Sequence, residues 1–303
     1  MVCYNTIKNV LMNNKKIAIS GASGYIGKYL TSYFENLDYN IIPITRDILN
    51  DKNKQELRDI LNEADIVINL AGESINRYWS ESYKKKIYHS RIDTTRTIVE
   101  SINFNTRKPE LFISASAVGY YPSEGCYDEY SSAQGSGFLS QVCYQWEKEA
   151  QRISPEVRSV ITRFGVVLSP EGGAFEKITL PVRIKLATIM GTGKQPFTWI
   201  DIQDLANAMR FITDNKSMSG VVNLVSVEQI SNKEFTEIIA KHYNSWLRIK
   251  IPQFFFRILL GEVSQLITEG QCVYPAKLVE ANFKFKSPSM ILFLSGLPDH
   301  KKK

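Results

Sequence analysis

The chain has 303 residues, 44% hydrophobic and 22% charged, the make-up of a soluble globular protein with one large core and room for a small second lobe. No apolar run reaches the roughly 18 residues that a membrane helix needs, and residues 1–16 lack both the apolar stretch and the cleavage site of a secretory signal, with Met12 an alternative start. The net charge of +6 includes Lys301, Lys302 and Lys303, and the internal cluster Lys84, Lys85, Lys86 reads as a solvated helix face, so a nucleic-acid or membrane partner is not expected.

A strand at 16–20 leads into glycines and an amphipathic helix over 27–37. A second strand at 40–45, a helix at 54–61 and a nearly continuous apolar strand at 65–70 follow. Next come a long helix at 80–102, a strand at 110–115, a helix at 137–152 and a strand at 158–168. This alternation predicts an α/β fold, a Rossmann-type doubly wound parallel sheet, with a small C-terminal substrate lobe. The nucleotide-binding domain is expected at 15–168 and the lobe at 169–303, with 199–226 returning to the sheet through a late strand at 221–225. Helical pattern begins after Ser231 or Asn232, and the apolar stretch 254–260 reads as a buried helix of the lobe because basic residues do not accumulate around it. Cys3, Cys126, Cys143 and Cys272 are scattered, without metal or disulfide spacing, which suits a reducing cytoplasm. His89 and His242 have no partner at ligand spacing, so no metal site is expected.

The turn Gly21-Ala22-Ser23-Gly24-Tyr25-Ile26-Gly27 sits between the first strand and the first helix. There a diphosphate can approach the backbone and lie on free helix N–H groups. Gly21, Ser23, Gly24, Tyr25, Ile26 and Gly27 are therefore expected to hold a dinucleotide. The second strand ends not in a carboxylate but in Thr45-Arg46, which can bond a 2′-phosphate, so the expected cofactor is NADP(H) rather than NAD(H). Asp47 and Ile48 follow, where adenine would lie.

Further segments bring in a family. Asn69-Leu70-Ala71-Gly72-Glu73, Ser90-Arg91-Ile92-Asp93-Thr94-Thr95-Arg96 and Ser114-Ala115-Ser116-Ala117-Val118-Gly119-Tyr120-Tyr121 form the first part of a pattern. Arg163, Gly165-Val166-Val167-Leu168, Trp199-Ile200-Asp201, Gly261-Glu262 and Gly270-Gln271 complete it. The chain resembles the atypical extended short-chain dehydrogenase/reductases of the NAD-dependent epimerase/dehydratase family, in particular the YfcH-like epimerase family proteins. The resemblance implies NADP binding, with Thr45 and Arg46 in the phosphate pocket and Asn69, Leu70, Ala71, Gly72 and Glu73 lining the cofactor.

In the wider superfamily a Ser binds the substrate oxygen, and a Tyr moves its proton, aided by a Lys four residues on. Ser116 matches the serine. By resemblance Cys143 takes the tyrosine position and Glu147 the lysine position, yet a carboxylate raises a thiol pKa, the reverse of what Lys does. Tyr144 and Lys148 form a competing pair one residue out of register, about 100° round the helix, so both pairs cannot face one site. Tyr120 or Tyr121 is a third acid. Two functions remain: an NADP(H)-dependent oxidoreductase or epimerase acting on a small carbonyl or hydroxyl substrate, such as a sugar nucleotide, or a non-catalytic NADP(H)-binding sensor.

Overall fold

Ile17 to Ile19, Ile66 to Ile68 and Leu111 to Ile113 are apolar on both sides of their strands, so each strand needs cover on both faces. The computed structural model, which describes residues 15–297, supplies it. Met12, Cys3 and the lysines at 301–303 lie outside the described residues. In chain order the elements are β1 (Lys16–Ser20), α1 (Tyr25–Glu35), β2 (Asn40–Ile44), α2 (Lys54–Glu63), β3 (Ile66–Asn69) and α3 (Glu81–Phe104). Then follow β4 (Leu111–Ala117), β5 (Cys126–Tyr127), α4 (Phe138–Ala150), β6 (Arg158–Phe164), β7 (Val166–Ser169) and α5 (Gly173–Arg183). The remainder includes β8 (Leu186–Met190), β9 (Trp199–Asp201), α6 (Ile202–Asp214), β10 (Gly220–Leu224), α7 (Asn232–His242), β11 (Leu247–Ile251), α8 (Gln253–Leu260) and β12 (Cys272–Val273).

The main sheet is a six-stranded parallel Rossmann sheet in the order β10-β6-β4-β3-β1-β2. On one face Leu30 and Phe34 of α1 and Leu205 and Met209 of α6 pack onto Ile17, Ile19, Ile66 and Ile68. On the other, Leu57 and Leu61 of α2, Ile98 and Ile102 of α3 and Ala150 of α4 cover Ala18, Val67 and Phe112. β1 lies between β2 and β3, so the chain leaves β1 in one direction and returns on its other side. The resulting crevice at the carboxyl ends is where ligands of open α/β sheets bind. The late strand is β10, at the β6 edge.

Three expectations are corrected. The strand expected at 158–168 is broken at Gly165, whose N–H bonds the Leu224 carbonyl and whose Cβ would sit 2.9 Å from the Thr198 carbonyl oxygen. Beyond the break, β7 leaves the main sheet and pairs with β9. The stretch 254–260 is helical but not buried: Phe254, Phe255, Ile258 and Leu259 are exposed, since the small lobe places no further layer over α8. No described helix is long and apolar enough to cross a membrane. Finally, Cys126 and Cys272 form a disulfide across 146 residues of sequence. The parallel ladder of β5 and β12 sets them opposite each other, a proximity that spacing along the chain could not reveal, so cysteine spacing carries no information about compartment here.

Candidate active site

The glycine loop is built by close approaches. Gly21 has φ +74°, and a Cβ there would meet the Leu70 carbonyl group at 2.9 Å. A Cβ on Gly27 would lie 2.1 Å from the Gly21 carbonyl oxygen, so only glycine lets α1 start this close to β1. No side chain caps α1 at Gly24, and its first turn holds no acidic residue. The leading N–H groups of α1 thus face the crevice with the positive end of the helix dipole, a cradle that fits a dinucleotide diphosphate. At the end of β2, Arg46 is 89% exposed and reaches Glu73 across a long 3.4 Å contact. That weak pair leaves the guanidinium available to a phosphate.

The loop after β3 is held from beneath. Asn69 is fully buried, accepts from Ser20 Oγ at 2.6 Å and donates to Thr95 Oγ1 at 2.7 Å. Its side chain therefore ties β1 and β3 to α3, leaving the loop backbone to face the crevice. Ser90 Oγ accepts from Glu73 N–H at 2.8 Å, and the Arg91 guanidinium donates to the Glu73 and Ile87 carbonyls. A Cβ on Gly72 would lie 2.9 Å from the Arg91 guanidinium carbon, so Gly72 allows that arginine to pack flat on the loop. Ser90, Arg91 and Thr95 were part of the recognised pattern, but sequence reasoning assigned them no task. Arg91 and Thr95, four residues apart on α3, share a helix face, which is the signal the sequence offers, while Ser90 lies about 100° round from Arg91.

At the end of β4, Ser116 is buried and donates to Glu147 Oε1 at 2.6 Å. Glu147 also accepts from Arg163 of β6 through Nε and Nη2, both at 2.7 Å, with both side chains 4% exposed. Burial opposes the Arg163 charge, but the hydrogen bonds and charge of Glu147 outweigh it and hold the guanidinium above its ordinary range. The guanidinium carbon stands 3.5 Å from the Tyr120 ring centroid and 4.6 Å from that of Tyr121. Tyr121 is buried, its hydroxyl bonded to Asp128 and Asn223. Tyr120, in the turn Val118–Tyr120, has no partner for its hydroxyl among the described residues.

Helix α4 places the two competing pairs on different faces. Cys143 and Glu147 lie on its buried face, whereas Tyr144 and Lys148 are exposed, with the ammonium 5.8 Å from the Tyr144 ring centroid. Burial first, then the Glu147 charge, pushes the Cys143 thiol up to about 11, against the opposing pull of Arg91 and of the Ala117 amide. The arrangement thus offers a protonated thiol, a free phenol and a hydroxyl whose own proton is engaged. Sequence reasoning missed Arg163 as the partner that makes a carboxylate tolerable at position 147, because the two residues meet only through the packing of α4 on β6.

Among known proteins, a family model described as the NAD dependent epimerase/dehydratase family matches residues 17–224, and one described as a domain of unknown function (DUF1731) matches residues 251–291. The epimerase family protein YfhF of Bacillus subtilis (strain 168) is 34% identical over 301 residues, covering 93% of this chain and 97% of that protein. The crystal structure of human epimerase family protein SDR39U1 (isoform 2) with NADPH has a TM-score of 0.84 at 28% identity, covering 92% of this chain and 97% of that one. The nucleoside-diphosphate sugar epimerase from Corynebacterium glutamicum has a TM-score of 0.75 at 26% identity, covering 93% of this chain and 57% of that one.

Proposed function

The chain belongs to the NAD dependent epimerase/dehydratase family, and from that premise we propose that it is an NADP(H)-dependent oxidoreductase or epimerase acting on a small carbonyl or hydroxyl compound of the sugar-nucleotide class. The observation that carries the cofactor reading is the uncapped start of α1 over Gly21 and Gly27, with Arg46 and no carboxylate at the end of β2. The NADPH in the human relative supports the same choice. When bound, the nicotinamide supplies hydride chemistry, and the remaining work falls to the chain.

Ser116 donates its one hydrogen bond to Glu147, so its oxygen lone pairs are free to accept from a substrate hydroxyl and orient it. Glu147 is paired with Arg163 and holds the Ser116 hydroxyl in place. Cys143 remains a thiol at neutral pH and is a weak proton donor at most. Tyr120, beside the guanidinium and with its hydroxyl unengaged, is the group best placed to exchange a proton with substrate. The exposure of Tyr144 and Lys148 favours one alternative, a sensor that binds NADP(H) without turnover.

Fluorescence titration of the purified protein with NADPH and NADH tests the cofactor reading. NADPH should bind at least about tenfold more tightly, and Arg46→Ala should remove that preference, as expected for loss of a charge-assisted phosphate contact. Binding of neither nucleotide would overturn the reading. Turnover on a panel of carbonyl compounds, lost in Tyr120→Phe, separates enzyme from sensor.

A further inference from the structure

The segment between β4 and α4 forms one wall of the site, and its far side is covalently anchored. Tyr120 O accepts from Gly135 N–H and Ser140 Oγ. The Tyr121 ring lies edge-on to Tyr120 and stacks on Tyr127, with centroids 5.6 Å apart and planes within 4°. Tyr127 is the neighbour of Cys126 in β5, and Cys126 is bonded to Cys272 of β12. Contacts thus run from the disulfide through Tyr127, Tyr121 and Tyr120 to Arg163, Glu147 and Ser116.

Two further features distinguish this bridge from an inert staple. Cys126 is exposed and Cys272 buried, so a thiolate from solution can reach one sulfur and expel the other. In addition, the strands do not depend on the bridge alone to stay together. Tyr274 N–H bonds the Tyr127 carbonyl, Asn223 bonds both Tyr121 and Tyr274, and the Glu129 carboxylate accepts from the backbone N–H groups of Asn223 and Lys277. With the sulfurs parted, these bonds keep the two cysteines opposed, so re-formation is intramolecular and fast.

We propose that Cys126 and Cys272 are a reversible thiol–disulfide site that sets how firmly the Tyr120–Tyr121 wall is held. In the reducing direction the thiolate of a dithiol reductant attacks Sγ of Cys126, forms a mixed disulfide and expels the Cys272 thiolate, which takes a proton. The second thiol of the reductant then releases Cys126 as a thiol and leaves as its own disulfide, so two electrons and two protons reach the protein. The oxidised form holds the wall and the reduced form loosens it. The effect on turnover rests on the reading of Ser116 as the reaction centre, but the redox chemistry and the loosening do not.

The test uses the whole chain, equilibrated with oxidised or reduced dithiothreitol and trapped with a maleimide. Peptide mapping should find the Cys126–Cys272 link in the first sample and two trapped thiols in the second, interconverting on exchange of buffer. Hydrogen exchange of amides in 121–135 should accelerate at least about tenfold on reduction, and the melting temperature should fall by roughly 5 °C. The double variant Cys126→Ser/Cys272→Ser should exchange like the reduced chain and ignore the reductant. Absence of the link under oxidising conditions, equal exchange in the two forms, or the same reductant response in the double variant would each overturn the proposal. NADPH titration of both forms runs alongside, so failure of the cofactor reading is seen separately.

Discussion

Glu147 answers to three donors inside a dry interface, so its removal is felt beyond its own contacts. Glu147→Gln keeps the shape but strands the Arg163 charge, and denaturant unfolding should show a loss of about 3 kcal/mol. A loss below about 1 kcal/mol would mean that water reaches the pair. Cys143 gives a second prediction at this scale. Its folded-state value of about 11 lies above the ordinary 9.0, so the native state holds the proton more tightly than the unfolded chain. Its stabilising contribution is therefore complete below pH 9 and disappears as the pH rises toward 11. Stability should decline by on the order of 2 kcal/mol across that window, and Cys143→Ala should flatten the decline. Ser116 was legible in the sequence as a strand-end position, and Cys143 and Glu147 as one of two competing helix registers. The compensating role of Arg163 was not, since it depends on which side chain of β6 the packing of α4 brings opposite residue 147.

Among the elements, the turn from β1 to α1 is the one whose geometry tolerates least. Gly27→Ala would drive a methyl group into the Gly21 carbonyl, and the expected result is loss of NADPH binding together with a lowered melting temperature. Wild-type affinity in that variant would mean the helix start can shift to make room. Helix α8 behaves in the opposite way. Phe254→Ser with Ile258→Ser should leave the melting temperature within about 2 °C of the parent, because both side chains are largely exposed. Period and composition revealed the main strands and α1 to α4, whose apolar residues meet the sheet. They did not reveal the exposure of α8, because an apolar helix reads the same whether or not a layer lies over it. Nor did they reveal the break at Gly165, which exists because the Thr198 backbone passes too close for a side chain.

For the molecule as a whole, the terminal segment is tied back to the sheet layer by two aspartates of the α6 start. Asp204 accepts from the Lys286 and Ser287 N–H groups, and Asp201 accepts from Ser287 Oγ. Lobe and sheet are thus joined beside the crevice, and ligand binding there should register in global unfolding. NADPH at about 100 times its dissociation constant should add about 2.7 kcal/mol and raise the melting temperature by several degrees, with a smaller rise from NADH at equal concentration. Equal rises would remove the role given to Arg46.

The buried pair of Glu147 and Arg163 also limits what sequence change can reach from here. Installing a Tyr–Lys arrangement would require tyrosine where Cys143 is nearly fully buried and lysine where a guanidinium waits 2.7 Å away. Lys at 147 alone would set two cations together in a dry interior, and Tyr at 143 alone would overfill it, so each first step is penalised unless residue 163 changes as well. A route from this arrangement to a Tyr–Lys pair therefore needs residues 143, 147 and 163 to change together.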